Sequence, residues 1–475
     1  MAKYDLLIKN GSVVLADKVE DCTIAVKDGK IAAISTVDIA DDEAKEILDA
    51  KGLTVMPGAV DCHTHFGIYA PMDKDVNSES KAALTGGVTT MMSYFRTGAH
   101  YMNKTGSYHD IYKEALDLAA GNAYCDYCFH LAPMDGLQVK EMEWLVEQGV
   151  VTFKYFMFYK GLNLGASSTV SPTMSDCYDL GHLYNIMEEA ARLNTMLENE
   201  PVSVSVHCED DEIIKAFIKK VKDAGLDGLQ AYAEARPPLA ERVAIMKAGT
   251  VAAATGAKLN ILHITSAEAL QATRDLLKIY PDIKLRRECT LHALGLTWKM
   301  LEGNNCAKVN PPLRTEADNE ALWKALEKGE INWVGSDHAN TPRALKLDND
   351  MWGSCCGFGG TSLMYPFMIS EGHFKHGLSL PRIAELISSN PAKAHAAWPR
   401  KGSMEIGADA DFAFIDLNLE KVVHAGEDFS AQEYNVFEGI SLKGWPVITM
   451  LRGKKVYENG KIIGEPTGEY IKRPC

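Results

Sequence analysis

The sequence predicts an α/β protein: a (β/α)8 TIM-type barrel with a small β-sandwich domain formed by both termini. Three observations point there. Short β-like runs broken by turn residues occupy both ends of the 475-residue chain. Between them, apolar β-rich runs alternate with helical patterns, as in a parallel βα array. Several of those runs end in metal-ligand residue types, where a barrel of this kind carries its active site.

The N-terminal runs are 4–9, 23–26 and 31–34, punctuated by Asn10-Gly11 and Asp28-Gly29, dipeptides that signal hairpins. The C-terminal region repeats this texture. There 411–416 reads as a strand, 447–451 leads to Arg452-Gly453, and 455–457 turns at Asn459-Gly460. Residues 1–54 and 396–475 are therefore assigned to one sandwich with a C-terminal tail, and 55–395 to the catalytic barrel. Eight barrel strands are expected, at 55–63, 89–95, 126–132, 151–156, 202–207, 258–263, 283–289 and 332–337. Helices fit between them, for example 239–246, and 319–327 with Leu322 and Leu326 at helical spacing.

Composition narrows the partners. Hydrophobic content of 46% with 24% charged residues is that of an ordinary soluble protein. A net charge of -15, with no stripe of Lys and Arg, argues against nucleic acid or acidic membrane as partner. Neither a signal core nor a run of membrane-spanning length is present. The 11 cysteines are scattered and odd in number, which leads us to expect a reduced cytoplasmic protein rather than a disulfide framework.

The chemistry opens at Asp61-Cys62-His63-Thr64-His65. Side chains alternate along a strand, so two histidines two positions apart point the same way and make half a metal site. Further along, Lys154 sits in the fourth run, His207 and His263 end the fifth and sixth, and Asp337 ends the eighth. Each alone has an ordinary reading as a satisfied polar residue. Gathered on one face they form a ligand set. Lys154 in an apolar run leaves two readings open. It reaches an acidic loop, or it is a neutral amine that has taken up carbon dioxide to become a carbamate able to bridge two metals.

Together these residues resemble the amidohydrolase superfamily, and within it the cyclic amidohydrolases: the hydantoinase/dihydropyrimidinase group, with allantoinases and dihydroorotases. The resemblance spans the chain. It is carried by 55–65, Gly86-Gly87-Val88-Thr89-Thr90, 153–160, Val206-His207-Cys208-Glu209, His263-Ile264-Thr265-Ser266, Asn310-Pro311-Pro312-Leu313-Arg314, Ser336-Asp337-His338, Asn390-Pro391-Ala392-Lys393 and 401–411.

That resemblance implies two divalent metal ions, zinc by expectation, bridged by carbamylated Lys154. His63, His65 and Asp337 would hold one metal, His207 and His263 the other. A metal-bridging hydroxide would open the ring of a cyclic amide or ureide, with Asp337 as proton acceptor and donor and Tyr159 steadying the oxyanion. Tyr159, Cys289, Asn310, Arg96 and Phe66 are the implied substrate-contacting residues. Phe66-Gly67, where dihydroorotases place an Arg after the second histidine, favours the hydantoinase or dihydropyrimidinase type; so do 153–161 and 434–447. Asn310 stands where hydantoinases commonly have Ser, Glu288-Cys289-Thr290-Leu291-His292 is an unusual version of its motif, and Gly359 lacks the side chain that dihydropyrimidinases offer there. Allantoinase or dihydroorotase-like activity is the alternative. A non-catalytic assembly homologue would have lost ligands, and all six are present. The group also implies a homo-oligomer, tetramer or dimer, with a C-terminal tail crossing between subunits; the apolar-aromatic stretch around Trp445 is its mark.

Overall fold

The computed structural model describes residues 2–160, 178–347 and 350–475. Among them, eight parallel strands lie side by side in chain order. These are β1 (Ala59–Thr64), β2 (Val88–Arg96), β3 (Asp126–Ala132), β4 (Thr152–Phe156), β5 (Ser203–His207), β6 (Leu259–Ile261), β7 (Leu285–Thr290) and β8 (Trp333–Gly335). The ring closes where Thr64 bridges His338 in parallel, with His65 N–H donating to His338 O at 2.8 Å and His338 N–H to His63 O at 3.2 Å. Such closure leaves no strand edge unpaired. The expected TIM-type barrel is thus present.

Amphipathic helices cover it. The expected 239–246 and 319–327 patterns fall within Pro238–Thr255 and Glu316–Glu327. The second begins at Thr315, whose side chain accepts from Asp318 N–H and so satisfies a free helical donor. Leu322, Trp323 and Leu326 are its buried face.

Both termini build the smaller β unit. A four-stranded sheet has the order Lys30–Ser35, Thr23–Lys27, Tyr4–Lys9, Ala44–Asp49. A seven-stranded sheet interleaves C-terminal strands Phe412–Val422 and Ser441–Leu451 with Thr54–Pro57 and Ser12–Val14. Their shared core holds Leu6, Ile24, Val55, Phe412, Phe414 and Met450. Asp28-Gly29, Arg452-Gly453 and Asn459-Gly460 are two-residue hairpin turns with positive φ at both positions, as their composition signals. Asn10-Gly11 is not a hairpin. There the chain crosses from one sheet to the other, and a Cβ on Gly11 would come within 2.9 Å of Val55 Cγ2.

The run expected as one strand over 55–63 is two. Thr54–Pro57 pairs with Phe412–Ile415 in the small unit, and the barrel strand starts at Ala59. Gly58 is the break, since any Cβ there would sit 2.1 Å from Thr89 Oγ1. Trp445 lies inside strand Ser441–Leu451, and the last residues run along β3. Ile471 N–H donates to Tyr127 O at 2.7 Å, and Arg473, buried, donates to Phe129 O at 2.5 Å. Where the two units meet, Lys401 is enclosed by Asp126 of β3, Asp409 and Asp411. These three carboxylates have metal-like spacing, but the Lys401 ammonium already occupies the space between them.

Candidate active site at the carboxyl end of the barrel

The six expected ligands line one cavity of about 330 Å³ at the carboxyl ends of the strands. His63 leaves β1 and His65 follows it; Lys154 projects from β4; His207 ends β5. His263 and Asp337 each stand two residues beyond β6 and β8, with φ of 34° and 54°. Such backbone is costly for residues with a side chain and is held where the surroundings impose it.

His63, His65 and Asp337 offer ligand atoms within 4.8 Å of one another. Asp337 Oδ1 lies 3.0 Å from His63 Nε2 and 3.3 Å from His65 Nε2. His63 Nδ1 donates to Glu288 Oε1 at 2.6 Å, and its buried Nε2 is not aligned for a hydrogen bond with Asp337. Nitrogen and carboxylate thus face each other as two ligands of a common cation would. Burial lowers the His63 pKa, but Glu288 and Asp337 outweigh it and raise it to about 9.

On the other side, His207 and His263 have ring centroids 4.3 Å apart. His263 Nδ1 is buried with no hydrogen-bond partner. Burial keeps His207 neutral, its pKa lowered to about 4 despite Glu209, and does the same to His65. Neutral imidazole is the ligand form. Lys154 is fully buried, and its Nζ makes no ion pair or hydrogen bond among the described residues; it lies 4.4 Å from the Tyr94 ring centroid. Burial lowers its pKa to about 8, so this amine is neutralised more readily than an exposed lysine's. Orphaned imidazole nitrogens, a facing carboxylate and an unpaired amine are a donor set that fits divalent cations.

Residues 54–456 match the amidohydrolase family. The chain belongs to it. This amidohydrolase is 31% identical to an L-hydantoinase of Paenarthrobacter aurescens, over 99% of this chain and 98% of the relative. It is 30% identical to an allantoinase of Rubrobacter xylanophilus, over 99% and 98%. The solved L-hydantoinase (dihydropyrimidinase) from Arthrobacter aurescens superposes with a TM-score of 0.87 at 29% identity, covering 99% of this chain and 100% of that one.

The remaining expected residues of the amidohydrolase separate into two groups. Tyr159 and Asn310 line the cavity. Arg96 does not: it is buried behind the wall, its guanidinium 5.1 Å from the Tyr101 ring and 5.3 Å from the Tyr159 ring, and it donates to Thr97 O at 3.0 Å. Its guanidinium packs against the two tyrosine rings, and its buried Nε has no hydrogen-bond partner among the described residues. Phe66 and Cys289 are also outside the lining. Phe66 is core, its N–H bound to Ser93 Oγ at 2.7 Å; Cys289 points its thiol at Ile264 O, 3.6 Å away. Gly359 spends its N–H on Gln432 Oε1 at 2.7 Å. Cys355 and Cys356 line the cavity in its stead. Gly161, the end of the hydantoinase-like stretch, lies outside the described residues.

Supporting residues were not visible in the sequence reading. Glu288 accepts from His63 Nδ1, from His263 N–H at 3.1 Å and from Trp333 Nε1 at 2.8 Å. Glu209 holds His207 Nε2 at 2.6 Å and is itself clasped by Arg236 at 2.9 and 2.5 Å. Tyr101 OH meets His65 Nδ1 at 2.8 Å. The available signal was a polar residue in an apolar strand-end run, which in a metal site marks a partner that orients a ligand.

Proposed function

We propose that this amidohydrolase opens the ring of a cyclic amide or ureide by hydrolysis, as an enzyme of the hydantoinase or dihydropyrimidinase type. The carrying observation is the convergence of four histidines, Asp337 and unpaired Lys154 on one cavity. His63, His65 and Asp337 would hold one divalent cation, His207 and His263 a second, and carbamylated Lys154 would join them. Zinc is the metal this donor set favours. Such a pair, when bound, supplies the positive charge that makes water acidic enough to react at neutral pH.

The rest falls to the chain. Asp337 stays ionised: burial pushes its pKa up, but His63 and His65 beside it hold it well below the carboxylate range. It accepts the proton of the attacking water and hands it to the departing ring nitrogen. Water's oxygen bonds the carbonyl carbon as the C–N bond breaks, giving an open-chain acid and a protonated nitrogen. Tyr159, whose hydroxyl has no partner among the described residues, donates to the oxyanion as it forms. A cytoplasmic homo-oligomer, tetramer or dimer, belongs to the same reading.

The test is zinc- or manganese-loaded protein on dihydrouracil, hydantoin, 5-substituted hydantoins, allantoin and dihydroorotate, followed by loss of ring amide absorbance. Turnover of the first three supports the proposal. Turnover of allantoin or dihydroorotate alone moves the assignment to the alternative, and none on any sinks it.

A further inference from the structure

We propose that Cys355 and Cys356 form a vicinal-dithiol site that captures organic trivalent arsenicals on the wall of the catalytic cavity and so competes with the ring that enters it. The capture stands on the two thiols alone; the competition also rests on the ring-opening reading.

Both cysteines are free and part-exposed, and they line the cavity that holds His63, His207 and Asp337. The other described cysteines are buried except Cys475, which has no cysteine beside it in the chain. The backbone around the pair is fixed. Cys355 N–H donates to Leu345 O at 2.9 Å, Gly357 N–H to Lys308 O at 3.0 Å, and Tyr69 OH to Cys356 O at 3.1 Å. The two thiols are therefore presented together, with little ordering left for a ligand to impose. Two buried amines lie near them: Lys308, and Lys346, which donates to Lys308 O at 3.1 Å. Neither makes an ion pair among the described residues.

The pair fits this ligand better than it fits a bond to itself or a metal ion. Consecutive Cα atoms are about 3.8 Å apart, whereas a relaxed disulfide spans about 4.4–6.8 Å, so closing the two thiols on each other is strained. Among the described residues no other His, Cys, Asp or Glu joins them in a group that could hold a metal, and a tetrahedral zinc would lack half its ligands. An organic trivalent arsenic needs only two sulfurs, since carbon already takes its third position. In the capture two As–S bonds form and the As=O bond breaks. The oxygen leaves as water with the two thiol protons, and arsenic stays trivalent. Burial and Cys356 raise the Cys355 pKa against the pull of Lys346 and Lys308, so attack begins from the minor thiolate form.

The probe is phenylarsine oxide, added to metal-loaded protein freed of excess metal: wild type, Cys355→Ser, Cys356→Ser and the double variant. Intact mass and peptide mapping read the adduct. Hydantoin hydrolysis is read as each protein's treated rate over its own untreated rate. Wild type should take one arsenical per chain on the peptide that carries both cysteines, hold it in excess monothiol and release it to a dithiol. Losing either thiol should weaken binding about a hundredfold or more, the gain expected when a second bond is made within one site. Hydantoin in excess should slow the capture, and captured protein should lose its turnover. No adduct on wild type, or one that persists in the double variant, overturns the capture. An adduct that leaves hydantoin turnover unchanged overturns the competition alone. If wild type neither opens nor binds hydantoin, the ring-opening reading and the competition fall, while mass still decides the capture.

Discussion

Glu288 accepts a 2.6 Å hydrogen bond from His63 Nδ1, and this one contact decides which nitrogen of His63 faces Asp337. The same carboxylate takes the N–H of His263 and the indole of Trp333, so it joins β1, β6 and β8. Glu288→Gln keeps the shape but weakens the acceptor. Removing such an outer partner costs about 10–100-fold in metal affinity. A chelator-competition titration should show that loss; unchanged affinity would mean that packing alone sets the His63 tautomer.

Lys154 offers a sharper discrimination between an amine that is carbamylated and one that merely carries charge. Arginine keeps the charge but, with its high pKa, does not add carbon dioxide at neutral pH. Lys154→Arg and Lys154→Ala should both bind fewer than about two metals per chain and lose kcat by more than about a hundredfold. Metal analysis and carbon-13 NMR after growth with labelled bicarbonate would check this. An active Lys154→Arg variant would exclude the carbamate.

Much of the barrel and the six positions that line its cavity were legible because they are written in local pattern. Apolar runs end in His or Asp at the place where a barrel puts its catalytic face, and Asp28-Gly29 and Asn459-Gly460 spell their own turns. Gly58 was not legible. The run 53–60 is apolar but for Thr54, and what divides it is a steric conflict with Thr89, far away in sequence. Phe66, Cys289 and Arg96 stand next to site residues in sequence, yet their side chains point into the core or behind the wall. The roles of Glu288 and Glu209, both within quoted motifs, were missed for the complementary reason: a carboxylate's task is set by the ring it meets in space.

One of the ties on the loop that carries Cys355 and Cys356 is a buried amine. Lys308 Nζ donates to the carbonyls of Met351, Trp352 and Ser354 at 2.7, 3.1 and 2.6 Å. Lys308→Met removes three bonds of about 1 kcal/mol each. The variant should therefore be cut near residue 352 by protease at lower concentration than wild type. Its KM should rise while metal content stays the same. Equal protease sensitivity would show that the loop holds without this lysine.

Lys401 is another buried amine, and it has the opposite electrostatic situation from Lys154. It is held by Asp126, Asp409 and Asp411, which outweigh burial and raise its pKa. Lys401→Met leaves three carboxylates to repel one another, so a loss of about 3–5 kcal/mol is expected, read by urea unfolding. Asp409 adds a pH signature. Burial alone would raise its pKa, but Lys401 and Lys30 lower it from 3.8 to about 2. A carboxyl whose folded pKa is depressed stabilises the fold above its ordinary value and loses that contribution as pH falls toward the folded one. Asp411 works against this, since burial raises its pKa despite Lys401. Asp409→Asn should therefore flatten the fall in stability between pH 3.8 and about 2 while leaving the remainder of the acid limb in place. An acid limb identical to wild type across that window would show that the Lys401 charge is balanced by Asp126 and Asp411 alone.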